Sequence, residues 1–230
     1  MPDRLPITRT LISYSFLLAI IKCHCLGAFF ECTDRGNTSS MTPDLRIILL
    51  AKHNALRSML ALGAAKHSPR KDLFCKPASK MPPLNYSCEL ERSAYDRANR
   101  CANMEPSPDY QFIENHRKDF KPRASLEKAL PANVQLWWSE IIKLEQPIDQ
   151  IQNVYRSNRE IDSFAKMASD LTTEVGCSIV KCGGESYNFV CHYKTTLKEG
   201  EKLYTMGTTC TECPGGVKNC ANGLCIIARR

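Results

Sequence analysis

The side chains able to do chemistry in this chain are chiefly sulfur and imidazole, with thirteen cysteines and five histidines in 230 residues. Their spacing permits several readings. Cys210-x-x-Cys213 has the form of half a zinc site or of a redox pair. His53 falls inside a helical pattern, where a histidine more often packs or caps than ligates. No Ser-His-Asp order, Gly-x-Ser-x-Gly, His-Glu-x-x-His or phosphate-binding loop occurs. Without a nucleophile set beside a base, the residues argue against an enzyme and offer no catalytic residue.

The N-terminus decides what the cysteines are for. Arg4 and Arg9 precede an apolar run from Leu11 to Ile21, and small residues follow at Gly27 and Ala28. That is a secretory signal pattern, too short for a comfortable membrane span, so residues 1–27 are expected to be removed. No later stretch reaches membrane-spanning length, and the expected location is secreted and extracellular. Eleven cysteines remain beyond the signal, an odd number that leaves one unpaired or intermolecular. In an oxidising compartment these are disulfides and not metal ligands, Cys210 and Cys213 included. Asn37-Thr-Ser and Asn85-Tyr-Ser are glycosylation sequons. The formal net charge of +7 is mild and scattered, which excludes a nucleic-acid partner in favour of a mixed soluble surface.

Several elements can position these residues. After a linker over 28–41, Thr42 is a helix N-cap and Pro43 a first helical residue. Leu45, Leu49, Leu56 and Leu60 keep helical spacing until Gly63. Ser87 caps a second helix with Leu90, Ala94, Ala98 and Cys101 on one face. A third helix is expected over Leu130–Glu145, with Pro131 in its first turn. Its adjacent Trp137 and Trp138 cannot share a face, so one is expected in the core and the other partly exposed. Val175–Cys182 and Tyr187–Tyr193 flank Gly183-Gly184 and read as a hairpin with a bulge and a turn longer than two residues. Neither hairpin face is purely apolar, which suits a sheet covered on both sides. With three cysteines in this short stretch, the hairpin is expected to be stapled to other elements as well. Leu203 to Gly207 reads as a last strand. Thr208 to Cys225 holds too little apolar matter for a core and needs disulfides.

Val175-Gly-Cys177, then Cys182, then Phe189-Val-Cys-His-Tyr193 resembles the C-terminal hairpin of the CAP superfamily. His53-Asn-Ala-Leu-Arg57, Met81-Pro-Pro-Leu-Asn-Tyr86 and the Cys88/Cys101 helix extend the resemblance, particularly to the nematode venom allergen-like and activation-associated secreted proteins. Ten cysteines fall where those members have them: Cys32, Cys88, Cys101, Cys177, Cys182, Cys191, Cys210, Cys213, Cys220 and Cys225. Cys75 is extra. The resemblance implies an α+β fold, a three-layer α/β/α sandwich around a central antiparallel sheet. It is disulfide-rich, with the domain over 42–206 and a short Cys-rich, hinge-like tail over 207–230.

Members of that family often hold two histidines and two glutamates around a cavity that can take a divalent cation. Here the resemblance places Glu114 and Glu140 at the glutamates, but Pro106 and Ser163 stand in place of the histidines. Two carboxylates alone suit zinc poorly, so no metal and no cofactor is expected. A close Glu114–Glu140 pair would raise one pKa. His116 could substitute as a ligand but reads as an exposed loop residue, and His192 reads as structural. The resemblance implies a non-enzymatic protein, monomer or homodimer, that binds a sterol or fatty acid, or a host immune or adhesion protein. Sterol capture would use the aromatic loop with Tyr110, Phe112 and Phe120. The alternatives are a metal-dependent hydrolase built on Glu114 and Glu140, and an antagonist of a host leukocyte or platelet receptor.

Overall fold

The computed structural model describes Cys32 and residues 41–69, 73–111, 113–144 and 148–226. The expected signal over 1–27, nearly all of the 28–41 linker with its Asn37 sequon, and Phe112 lie outside the described residues.

Helix α1 runs Pro43–Ala61. The Thr42 hydroxyl accepts from the Leu45 amide at 3.2 Å, satisfying one of the free donors of the first turn. Gly63, at φ +73°, turns the chain out of the helix. Buried Leu45, Leu49, Leu56 and Leu60 line its inner face. Strand β1 (Asn85–Tyr86) leads to helix α2 (Cys88–Ala98), capped by the Ser87 hydroxyl on the Leu90 amide. Asn85 is exposed on this short strand.

Strand β2 (Glu114–Phe120) precedes helix α3 (Leu126–Trp138) and the four-residue α4 (Glu140–Lys143). The single helix expected over Leu130–Glu145 is thus shifted and divided. Ser125 starts it early, its carbonyl accepting from the Lys128 and Ala129 amides, so Pro131 lies inside the helix. Ser139 ends α3, its hydroxyl donating to the Leu136 carbonyl at 2.7 Å in competition with the backbone ladder. Both tryptophans are buried, against the expected division, because two different neighbours receive them. Trp137 stacks on Phe189 with centroids 5.1 Å apart, and Trp138 meets Phe164 edge-on at 4.8 Å.

Helix α5 (Asp162–Ala168) is followed by β3 (Thr172–Gly183) and β4 (Ser186–Thr195). The sheet order is β1-β3-β4-β2, with β3, β4 and β2 antiparallel and the two-residue β1 parallel to β3. Alternation along β3 and β4 divides the core. Val175, Cys177, Ile179, Phe189, Cys191 and Tyr193 join the large cluster that includes residues of α1, α3 and α5. Val180 and Val190 pack with Ala94 and Ala98 of α2 on the other face. The sheet is therefore covered on both sides, which is the three-layer sandwich. A Cβ on Gly176 would lie 2.2 Å from the Glu91 amide nitrogen, so only glycine lets α2 approach β3 this closely.

Gly183 opposes Ser186, leaving Gly184 and Glu185 at the tip, a tighter turn than expected. The bulge is present between Lys181 and Gly183. Only one hairpin cysteine staples outward: Cys182 bonds Cys101, while Cys177 and Cys191 bridge the two strands. Cys32 and Cys88 are disulfide-bonded as well, and Cys75 is a buried free thiol. Leu203 and Tyr204 are buried but form no strand; the Leu203 amide donates to the Asn153 carbonyl at 2.8 Å, in a loop-to-loop contact.

The tail is held by Cys210–Cys220 and Cys213–Cys225, with a minimal β5 (Cys220–Ala221) and β6 (Leu224–Cys225). Thr209 donates to the Ala61 carbonyl at 2.9 Å, and the Cys225 amide to the Met81 carbonyl at 2.8 Å. These bonds tie the tail to the end of α1 and the approach to β1.

Candidate functional site: a charge-saturated glutamate in a cleft

Glu114 opens β2 directly opposite His192 of β4, and His192 in turn opposes Gly176 of β3. Cross-strand partners share a face, so both side chains lie on the side that α2 covers. Arg97, in the last turn of α2, reaches the same point. Glu114 is 8% exposed, and both oxygens of its carboxylate are engaged. Arg97 Nε and His192 Nε2 each lie 3.0 Å from Oε2, and His116 Nδ1 lies 2.8 Å from Oε1. A carboxylate only accepts, so His192 Nε2 carries a proton; its Nδ1 meets the Ser93 hydroxyl at 2.9 Å. Burial alone would raise the Glu114 pKa. Hydrogen bonds from His116 and His192 and the Arg97 charge outweigh it and hold the pKa at about 2.

Tyr110 closes this cluster from above. Its ring stacks on His192 with centroids 5.3 Å apart, and Arg97 lies 5.0 Å from its centroid. Arg97 also donates to the Glu105 carbonyl, while its Nη1 is buried without a partner. A cleft of about 440 Å³ adjoins, lined by Arg97, Pro106, Tyr110, Glu114, Ser163 and Lys166 among others. Lys166 is buried and donates to the Gln111 carbonyl at 3.1 Å. Burial lowers its pKa, opposed by the charges of Asp162, Glu140 and Glu114.

Glu140 does a different job. Its Oε2 accepts the amides of Ser163 at 2.8 Å and Phe164 at 3.0 Å, capping the start of α5. Its pKa is raised by burial, with those hydrogen bonds opposing. The expected mutual repulsion of a Glu114–Glu140 pair is therefore not what shifts either group. Pro106, Glu114 and Ser163 line the cleft together, and Glu140 stands behind Ser163. His116 is exposed as expected, but on strand β2 beside Glu114 and not in a loop. Tyr110 and Phe120 line separate clefts.

The residues present do not make a cation site. Pro106 has no donor, Ser163 offers a neutral hydroxyl, and the Arg97 guanidinium already supplies the positive charge that Glu114 requires. Among the described residues no group of three or more His, Cys, Asp or Glu has metal-holding geometry. Sequence reasoning missed Arg97 and His192 as partners of Glu114. The available signal was Gly176: a glycine in a central strand marks close backbone approach, and its cross-strand partner shares that face.

A second buried histidine, His53, serves the opposite face. His53 Nδ1 donates to the Leu49 carbonyl at 2.8 Å, so Nε2 accepts from the Tyr193 hydroxyl at 3.0 Å. Burial lowers its pKa to about 4.

The family model for the cysteine-rich secretory proteins, CAP, matches residues 50–193. The Ancylostoma secreted protein of Ancylostoma caninum is 30% identical over 82% of this chain, which spans only 46% of that relative. Hookworm platelet inhibitor 1 of the same species is 28% identical over 86% of this chain and 88% of its own length. The crystal structure of NaASP2 with Zn2+ superposes with a TM-score of 0.69 at 26% identity, covering 83% of this chain and 98% of that one.

Proposed function

Because the chain belongs to the cysteine-rich secretory protein (CAP) family, we propose that it is a secreted, non-enzymatic protein that acts by binding. Its ligand on this reading is hydrophobic, a sterol or a fatty acid, and its setting is the modulation of host immunity. The observation that carries it is the saturation of Glu114 by Arg97, His116 and His192. A hydrolase built on this cleft needs a free carboxylate to act as base or to hold a metal. Glu114 is committed to an ion pair and Glu140 to the start of α5. Among the described residues no helix is long and apolar enough to cross a membrane.

A second reading is antagonism of a host leukocyte or platelet receptor. It is favoured by the similarity to hookworm platelet inhibitor 1 along most of both chains.

The two readings separate in one experiment. The secreted chain, incubated with labelled cholesterol or palmitate and passed over a sizing column, is expected to retain one of them. Alanine at Tyr110, Phe112 and Phe120 together is expected to abolish cholesterol retention; undiminished retention places sterol elsewhere. Retention of neither lipid, with direct binding of lipid-free protein to platelets or leukocytes, replaces the first reading by the second.

A further inference from the structure

A second cleft, of about 730 Å³, lies between the end of β2 with its following loop and the outer face of α3. Its size is that of a small-molecule site. The floor is apolar. Ala129, Ala132 and Leu136 follow one another at helical spacing on α3, with Phe120 opposite. Leu136 is 47% exposed, while Leu130, Val134 and Trp137 of the same helix are buried in the core. The rim is basic. Arg117, Lys121, Arg123 and Lys128 line it against Asp119 and Glu185.

Three of these cations lack an anion. Lys121, Arg123 and Lys128 are exposed, and among the described residues none of their side-chain nitrogens has an ion pair or hydrogen bond. Arg117 lies 5.9 Å from the Phe120 ring centroid. Lys118, which also lines the cleft, is engaged elsewhere, donating to the Ala102 carbonyl at 2.8 Å. Asp119 accepts from the Ser186 hydroxyl at 3.3 Å. Unpaired cations above an exposed apolar stripe complement one kind of occupant.

We propose that this cleft binds a single-chain amphiphile with an acidic head. The apolar chain lies along Ala129, Ala132 and Leu136, and the head meets Lys121, Arg123 and Lys128. A neutral lipid would leave the cations unused, and a sulfated glycan would leave Leu136 unused. The inference rests on the hydrophobic-ligand reading and assigns that ligand a place and a charge.

The test titrates the secreted chain calorimetrically with laurate, below its micelle threshold, and with methyl laurate. Laurate is expected to bind, and methyl laurate at least about tenfold more weakly, since it lacks the charged head. Lys121→Gln/Arg123→Gln/Lys128→Gln and, separately, Leu136→Glu are each expected to weaken laurate about tenfold or more. All four positions are exposed, and circular dichroism checks that the variants fold. Equal laurate affinity in the wild type and both variants overturns this site but leaves hydrophobic binding intact. Retained cholesterol with neither laurate nor palmitate binding likewise overturns the inference alone. Absence of all three overturns the binding reading with it. A heparin fragment bound through the three cations and indifferent to Leu136→Glu overturns the amphiphile in favour of a glycan.

Discussion

Replacing Arg57 with methionine is expected to lower the free energy of unfolding by about 3–5 kcal/mol. Arg57 is fully buried on α1 and collects carbonyls from two distant segments. Nη1 donates to Met167 at 2.8 Å and Ser169 at 2.7 Å, and Nη2 to Pro82 at 2.8 Å and Thr172 at 3.2 Å. Nε donates to Pro82 as well, at 3.1 Å. The guanidinium thereby joins the approach to β1 to the turn between α5 and β3. Methionine fills similar volume but leaves those carbonyls buried without donors. Lysine keeps the charge but cannot spread its donors in a planar fork, so Arg57→Lys is expected to recover less than half the loss. Urea unfolding of the three proteins at one pH measures this. A loss below about 1 kcal/mol for methionine would mean that water replaces the fork.

Glu114→Gln is expected to be nearly as damaging at neutral pH, by about 3 kcal/mol, because it leaves Arg97 buried beside a neutral amide. The effect has a pH signature. The folded-state pKa of Glu114 is held at about 2, below the ordinary 4.5. A depressed carboxylate contributes stability that is fully present above the unfolded value and is lost as pH falls through the folded one. The wild-type advantage over Glu114→Gln should therefore be constant above about pH 5 and shrink steadily towards pH 2. Paired denaturation curves across that window measure it. An advantage that does not change with pH would show that Glu114 is not the titrating partner of Arg97.

Much of the frame was legible from residue type alone. Thr42, Pro43 and Gly63 mark the ends of α1 by backbone chemistry that tertiary contacts do not alter. The hairpin showed as two β-prone runs around Gly183 and Gly184, and its mixed faces correctly implied cover on both sides. What stayed hidden depends on partners far along the chain. The break at Ser139 comes from a hydroxyl competing for a local carbonyl, which periodicity does not register. Trp137 and Trp138 both find burial because Phe189 and Phe164 arrive from different layers. The site was half legible. Glu114, Pro106 and Ser163 line one cleft, while Glu140 is drawn away by the α5 amides. Arg97 and His192 could be placed beside Glu114 only through strand register and the close approach of α2 at Gly176.

These partners hold Glu114 in a buried ion pair with Arg97. Arg97 sits where added positive charge would be repelled, and all three nitrogen neighbours of Glu114 come from the protein itself. That closure is why the molecule is read as a binder and the carboxylates as structural. The most direct test is elemental analysis of the secreted chain after equilibration with zinc and then manganese, followed by exhaustive dialysis. The expected result is no stoichiometric metal in the wild type and none in Glu114→Gln. One equivalent retained by the wild type and lost in Glu114→Gln would contradict the account and return the cleft to metal chemistry.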